Sequence, residues 1–226
     1  MKRSAHVPLS RRLLLVLALV MAGTLVVSRA LQAPPASSPG EVCRGSGQEG
    51  PFTVHLMVVA GARAEVERGI VYDAAYYPLS YPGGDVPAGR GACTDVIIRA
   101  LRHAGYDLQV LIYEDMKARF YEYPQLWGAP GPDPSIDHRR IPNQVTFLAK
   151  YGESLTLETS GQHRAAWQPG DLVYWRFPDG LEHCGVVTNR TGQSGLPMVV
   201  HNAGRAVEED CLTRWEITGH FRYPPK

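Results

Sequence analysis

The apolar positions of this chain change period once, and the change separates a helical first half from a strand-rich second half. Over residues 54–69 an apolar segment leads through Ala62 and Val66 to Ile70, which predicts a helix packed on the domain. Val96, Ile97, Ala100, Leu101 and Ala104 fall at helical spacing, with Arg99, Arg102 and His103 off that stripe and Gly105 as a stop. Asp107 can cap a third helix carried by Leu108, Leu111, Ile112, Met116 and Phe120, ended by Tyr123-Pro124. Pro142 suits the first turn of a fourth, which runs through Phe147 and Leu148 to Lys150 and closes at Gly152. Beyond Gly152 the period becomes two. Leu155 and Leu157 alternate with polar residues, and residues 171–175, 183–188, 197–202 and 215–223 read as strands. The turns between them, such as Pro178-Asp179-Gly180, are of hairpin length and imply an antiparallel meander. Helices first and antiparallel sheet last predict an α+β fold.

Two stretches fit neither period. Residues 71–82 are too rich in Tyr and Pro for regular structure, and the loop of about twenty residues after Pro124 carries Trp127, Pro130, Pro132 and Pro134. That loop delivers Asp137-His138-Arg139-Arg140.

The amino-terminal end is a separate matter. Lys2, Arg3, Arg11 and Arg12 precede fifteen uncharged residues, 13–27, a run short of the ~20 needed for a full bilayer span. Positive flank and short apolar core read as a secretory signal with a loose cleavage site near Ala30-Leu31-Gln32-Ala33, or else as an uncleaved membrane tether. Residues 1–33 are thus expected to be signal or anchor, 34–51 a Pro/Gly/Ser-rich linker, and 52–226 a single catalytic domain. Either form of leader places the domain on the periplasmic or extracellular side of the inner membrane. With 23 basic against 22 acidic residues, and no basic cluster interleaved with aromatics, a nucleic-acid partner is excluded. Nothing in the composition sets the oligomeric state.

Candidate chemistry centres on Cys93. The loop through Pro82, Gly83, Gly84, Asp85, Pro87, Gly89 and Gly91 cannot join the helix that follows, so Cys93 sits at a loop-to-helix junction. The free amides and dipole there favour an anion and bias a thiol toward thiolate. A buried small hydrophobe is the plain alternative for such a cysteine. A thiolate nucleophile needs a base, and His183 and His201 each open or close a β-like run. On neighbouring antiparallel strands the two can share a face, so that one serves as base and the other as its orienter. Asn202 points the opposite way in a regular strand and ranks below His201. A solvated strand-end residue and a satisfied core residue are the corresponding plain readings of the two histidines.

A Pro-Gly-Asp-Leu-Val strand, a strand opening His-x-Gly and a strand ending in His, all downstream of a cysteine helix, resemble the NlpC-type cell-wall peptidases of the papain-like superfamily. A closer resemblance, through YPGGDVP, CTDVIIRALRHAGYDLQ, IDHRRIPN, WQPGDLVYW, HNAG and ITGHFRY, is to the bacterial family called domain of unknown function 1287. The resemblance implies a papain-like α+β fold in which the nucleophile is Cys93, the base His183 and the orienter His201. It also implies an amide bond as substrate, in peptidoglycan stem peptides, and no cofactor. Tyr81 and Asp95, flanking the nucleophile, are then candidate substrate contacts. Ala92 precedes the nucleophile and Thr94-Asp95 follows it, where the better-known peptidases carry Asp before and Ser-Gly after. Recognition of a free peptide amino terminus is therefore not implied. An acyl transferase or lipid-acting hydrolase on the same scaffold, with a permuted nucleophile at Cys211, is one alternative. A silent wall-binding module is another.

Arg139 and Arg140 form a possible fork for a substrate carboxylate, or a structural ion-pair network. A metal set of Asp137, His138, His183 and His201 lacks helical zinc spacing and is set aside. In an oxidising compartment Cys43 and Cys211 are expected to pair, and Cys184 to be buried facing away from His183.

Overall fold

The computed structural model describes residues 51–225. The leader, the linker up to residue 50 and Cys43 lie outside the described residues, and with them the expected signal, tether and one half of the expected disulfide. Helix α1 (Pro51–Glu67) begins at the last residue assigned to the linker. Among the described residues no helix is long and apolar enough to cross a membrane. Two short strands, β1 (Val71–Tyr72) and β2 (Arg90–Gly91), pair in parallel and close the Tyr- and Pro-rich segment into a loop.

Helix α2 (Cys93–His103) follows at once. Helix α3 (Leu108–Arg119) is capped by Asp107, whose carboxylate accepts from the Gln109 amide at 3.0 Å. Helix α4 (Ile141–Tyr151) carries its proline in the first turn and ends at Gly152, as the pattern indicates. The alternation at Leu155 and Leu157 does not make a long strand. Only β3 (Glu153–Ser154) pairs there, and a 3-10 turn over Gly161–Ala166 leads to the sheet proper.

The remaining strands are β4 (Leu172–Arg176), β5 (Glu182–Thr191), β6 (Pro197–Asn202), β7 (Ala206–Glu209) and β8 (Glu216–Arg222). With β3 they form one antiparallel sheet in the order β3-β8-β4-β5-β6-β7. The fold is α+β with an antiparallel carboxy-terminal sheet. Strand β7 has no apolar alternation (Ala-Val-Glu-Glu), so the pattern does not mark it.

The period of two sorts the sheet's side chains between two cores. Tyr174, Cys184, Val186 and Val200 face the helices and join Val58, Cys93, Ile97, Leu101, Leu108 and Leu148. Val173, Trp175, Val187 and Val199 face away and pack with Trp167, Cys211 and Leu212. Helix α2 lies between α1 and the sheet, and this corrects the expected polar face. Arg99 is 8% exposed and is held by Glu65 at 2.8 Å and Asp85 at 2.8 Å. The close approach of α1 requires Gly61, because a Cβ there would stand 2.9 Å from the Ala100 Cα and 2.7 Å from the His103 Cβ.

The start of α2 is fixed from three directions. Asp95 reaches back to accept from the Ala92 amide at 2.6 Å. Arg139 then forks the same carboxylate, with Nε 2.9 Å from Oδ1 and Nη2 3.0 Å from Oδ2. Its Nη1 also donates to the Ala75 carbonyl at 2.8 Å, which pins the Tyr-rich loop. From the sheet side, the Asn202 amide donates to the Gly91 carbonyl at 2.9 Å. The Asp95 and Arg139 side chains are 3% and 2% exposed, so neither is a free ligand for substrate.

Removal of one partner from a buried pair strands the other charge, at a cost of ~3–5 kcal/mol. Arg139→Met is therefore expected to lower the urea midpoint sharply. Arg140→Met, which loses a bond to Asp137 and a cation–π contact with Trp127 but leaves that carboxylate the Asp133 amide, is expected to lower it by less. Equal losses in the two variants would show that the pair is not the fixture described.

Candidate active site

Cys93 is the first residue of α2, and it is 5% exposed. Gly91, two residues earlier, lies so close to α2 that an added Cβ would meet the Asp95 Cβ at 3.0 Å. The turn into the helix is thus tight enough to set the thiol at the opening of the first turn, where free N–H groups favour negative charge. His183 lies at the second position of β5, and His201 at the fifth of β6. Register pairs His201 with Gly185, so both histidines project from the same face of the sheet. The His183 ring stacks on Trp175 with centroids 5.7 Å apart and is covered further by Phe177 and Trp215.

The structure brings together Cys93, His183 and His201. His183 Nε2 is 2.8 Å from His201 Nδ1. His201 Nε2 is in turn 2.7 Å from the Glu209 carboxylate. Glu209 lies two residues beyond Val207, the register partner of His201, and so reaches it diagonally across β6 and β7. Arg214 forks Glu209 at 2.6 and 2.9 Å and, as the largest cause, holds its carboxyl below the usual carboxylate range. Burial lowers the pKa of His201.

These facts assign the tautomers. An anionic Glu209 accepts from His201 Nε2–H. A neutral His201 then presents the lone pair of Nδ1 and accepts from His183 Nε2–H. The remaining nitrogen of His183, Nδ1, takes no part in these two bonds.

Cys93 meets two consecutive residues of β5. Its thiol is held down to about 5 chiefly by a hydrogen bond from the Cys184 side chain, against burial, with hydrogen bonding and charge from His183 adding to the effect. Cys184 is fully buried and its own thiol is raised, first by burial and then by Cys93. The expectation that Cys184 faces away from His183 agrees with the alternation of β5. That placement does not isolate it, because the other face of the strand is the one α2 covers. Cys184 therefore neighbours Cys93. Cys211, expected to pair with Cys43, is a free and buried thiol, pushed up to about 12 by burial and the neighbouring Glu209.

The other expected contacts are placed elsewhere. The Tyr81 hydroxyl donates to Glu114 on α3, and its ring packs edge-on against Tyr113 at 4.9 Å. Asp95 and Arg139 occupy each other. Arg140 bonds Asp137 at 2.8 Å and lies 4.0 Å over the Trp127 ring. The tyrosine whose hydroxyl feels Cys93 is Tyr72, 44% exposed, with a pKa raised by burial and then by the charges of Cys93 and Cys184. Its place follows from the pairing of β1 with β2, which sets Tyr72 opposite Gly91.

Asp137 and His138 fall on a 3-10 turn, Asp137–Arg139, with Asp137 bonded to Arg140 and to the Asp133 amide at 2.6 Å. His138 is pushed down to about 4, mainly by burial. Among the described residues, the group that could hold a metal ion is His201, Glu209 and Cys211. It fits poorly. Arg214 already neutralises Glu209, His201 Nε2 is bonded to that carboxylate, and the Cys211 thiol stays protonated.

Comparison with known proteins follows the same boundaries. A family model described as Domain of unknown function (DUF1287) matches residues 59–223. The Escherichia coli (strain K12) protein named Uncharacterized protein YijF is 45% identical over 170 residues, which is 75% of this chain and 82% of that protein. No solved structure matches the chain.

One profile and one variant test the relay. Alkylation of Cys93 by iodoacetamide, followed by peptide mapping, should rise through a midpoint near about 5 and then level off. Glu209→Gln removes the charge that holds His201 in its tautomer, and should move that midpoint upward. An unchanged profile in Glu209→Gln would remove Glu209 from the relay.

Proposed function

We propose that this chain, which belongs to the DUF1287 family, is an exported cysteine hydrolase with a papain-like arrangement of nucleophile helix and sheet, cutting an amide bond in peptidoglycan stem peptides. The observation that carries the reading is the bonded series His183–His201–Glu209 set beside Cys93, whose thiol is lowered in part by His183. A buried structural cysteine has no use for a depressed pKa, an adjacent base and a fixed tautomer behind that base.

The steps follow from the tautomers. The Cys93 thiolate attacks the carbonyl carbon, and the oxygen takes the negative charge. First-turn amides of α2, beginning with that of Cys93, are the donors for that oxygen, each worth ~3 kcal/mol of transition-state stabilisation. His183, carrying protons on both nitrogens, gives the Nδ1 proton to the leaving amine. The thioester is then opened by water, whose proton His183 accepts. His201 keeps its tautomer throughout, because Glu209 stays charged against Arg214. Tyr72 is the exposed aromatic side chain bordering Cys93 and is the first residue assigned to substrate contact.

The permuted alternative is disfavoured, because the thiol of Cys211 is raised where a nucleophile needs it lowered.

The test is incubation of the reduced full-length chain with purified muropeptides, with products resolved by mass. Cleavage at an amide is expected, with loss of turnover in Cys93→Ser and His183→Ala and retained turnover in Cys211→Ser. His201→Ala should keep a small residual rate, since His201 positions the base without exchanging a proton with the thiol. Intact muropeptides combined with tight sacculus binding would replace this reading with that of a wall-binding module. An inactive Cys211→Ser with an active Cys93→Ser would reverse the assignment of the nucleophile.

A further inference from the structure

The hydrolytic relay uses one thiol, and the structure supplies two in contact. Cys93 opens α2 and Cys184 follows the base on β5, both in the core between helices and sheet. Both are free thiols buried in the one core cluster, and each acts on the other as a near neighbour, Cys184 lowering the pKa of Cys93 and Cys93 raising that of Cys184. Amide hydrolysis has no step for Cys184, which is fully buried and exchanges no proton in the sequence above. Support of the Cys93 thiolate by Cys184 asks only for a donor, which a Ser would supply at the same place without a second sulfur.

We propose that Cys93 and Cys184 form a site of reversible oxidation, closing to an intramolecular disulfide on reaction with a hydroperoxide and so withdrawing the nucleophile. The atoms balance in two steps. The Cys93 thiolate attacks the outer oxygen of the hydroperoxide, giving a Cys93 sulfenic acid and an alkoxide or hydroxide, which takes a proton to leave as alcohol or water. The Cys184 sulfur then attacks the sulfenic sulfur, the S–S bond forms, and water leaves with the Cys184 proton. A dithiol reductant reverses the change by two thiol–disulfide exchanges.

The surroundings suit each step. A thiolate with a neighbouring imidazole is the reactive form toward peroxide. Cys93, at 5% exposure, admits a small oxidant more readily than a bulky one. Two of the influences that keep Cys184 protonated are the hydrogen bond to Cys93 and the charge of Cys93, and both vanish once Cys93 is a neutral sulfenic acid. A disulfide needs Cβ atoms ~3.8 Å apart, so the two neighbouring side chains must close to bonded contact. The second sulfur also guards the first, because a sulfenic acid captured as disulfide does not proceed to sulfinic acid.

The withdrawal of activity rests on the hydrolase reading, whereas the disulfide does not. The experiment treats the reduced full-length chain with hydrogen peroxide, blocks remaining thiols under denaturing conditions, and maps peptides without reductant. A cross-linked peptide joining Cys93 to Cys184 is expected, lost on treatment with dithiothreitol. Cys184→Ala should instead carry Cys93 to sulfinic acid, which dithiothreitol does not reverse. Wild-type chain that accumulates Cys93 sulfinic acid with Cys184 still a free thiol overturns the proposal, whether or not the variant folds. Muropeptide turnover, measured alongside, should fall at least about tenfold on oxidation and return on reduction. A disulfide in a chain inactive even when reduced would retain the redox site and remove the hydrolase. Turnover that survives the disulfide would remove the withdrawal of activity.

Discussion

The buried pair between Asp95 and Arg139 is the constraint on which the site depends. Asp95 is at once the cap of its own helix, through the Ala92 amide, and the anchor for an arginine that arrives from the far end of the long loop. Arg139 directs its remaining donors to the carbonyls of Ala75 and Asp73. One carboxylate therefore joins the helix that opens at Cys93, the Tyr-rich loop and the turn at Asp137–Arg139. Two buried charges cost free energy unless every donor and acceptor is met, and here the fork meets them with parallel bonds. A pair of this kind specifies one arrangement, because any shift of the helix start leaves a bare charge in the core.

The electrostatics beyond that anchor run outward from a dry interior to a wet rim. Cys93, His183 and His201 are each at most 5% exposed, whereas Arg214 is exposed. The relay thus carries the influence of a surface ion pair, Glu209 with Arg214, into a region where charges are poorly screened. Position along it determines protonation. Glu209 stays charged because Arg214 holds it, and burial favours the neutral form of His201. The aromatic rings of Trp175, Phe177 and Trp215 keep water from the histidine pair and restrict its rotation.

The same packing gives one strand two kinds of chemistry. Consecutive residues of β5 face opposite sides, yet the end of α2 lies where both can reach Cys93. His183 supplies an imidazole and Cys184 a second sulfur. The arrangement depends on Gly185, whose place no larger residue can take: a Cβ there would stand 2.7 Å from Val199 Cγ1 and 2.8 Å from the Val200 carbonyl. That close pairing of β5 with β6 keeps His201 within bonding distance of His183.

Local pattern determined much of this. The helical stripes of α2, α3 and α4, their cap and stop residues, and the alternation in β4, β5 and β6 are all short-range properties, so the α+β class and the junction at Cys93 were legible in the sequence. The histidines could be singled out because each stands at the end of a recognisable strand. Other features were decided only by contacts between distant segments. Arg99 reads as a solvated residue until α1 covers it, and Arg139 reads as a substrate fork until its partner 44 residues away is known. Tyr81 carries the motif and turns to Glu114, while Tyr72, with no motif, borders the thiol because a two-residue parallel bridge sets it opposite Gly91. Glu209 lies on a strand without apolar alternation, so no periodicity could mark it, and its role appears only through the register of β7 on β6. A period of two places Cys184 on the correct face, but which helix covers that face is a property of the tertiary fold. Periodicity assigns a side chain to a face, and only packing assigns the face its neighbour.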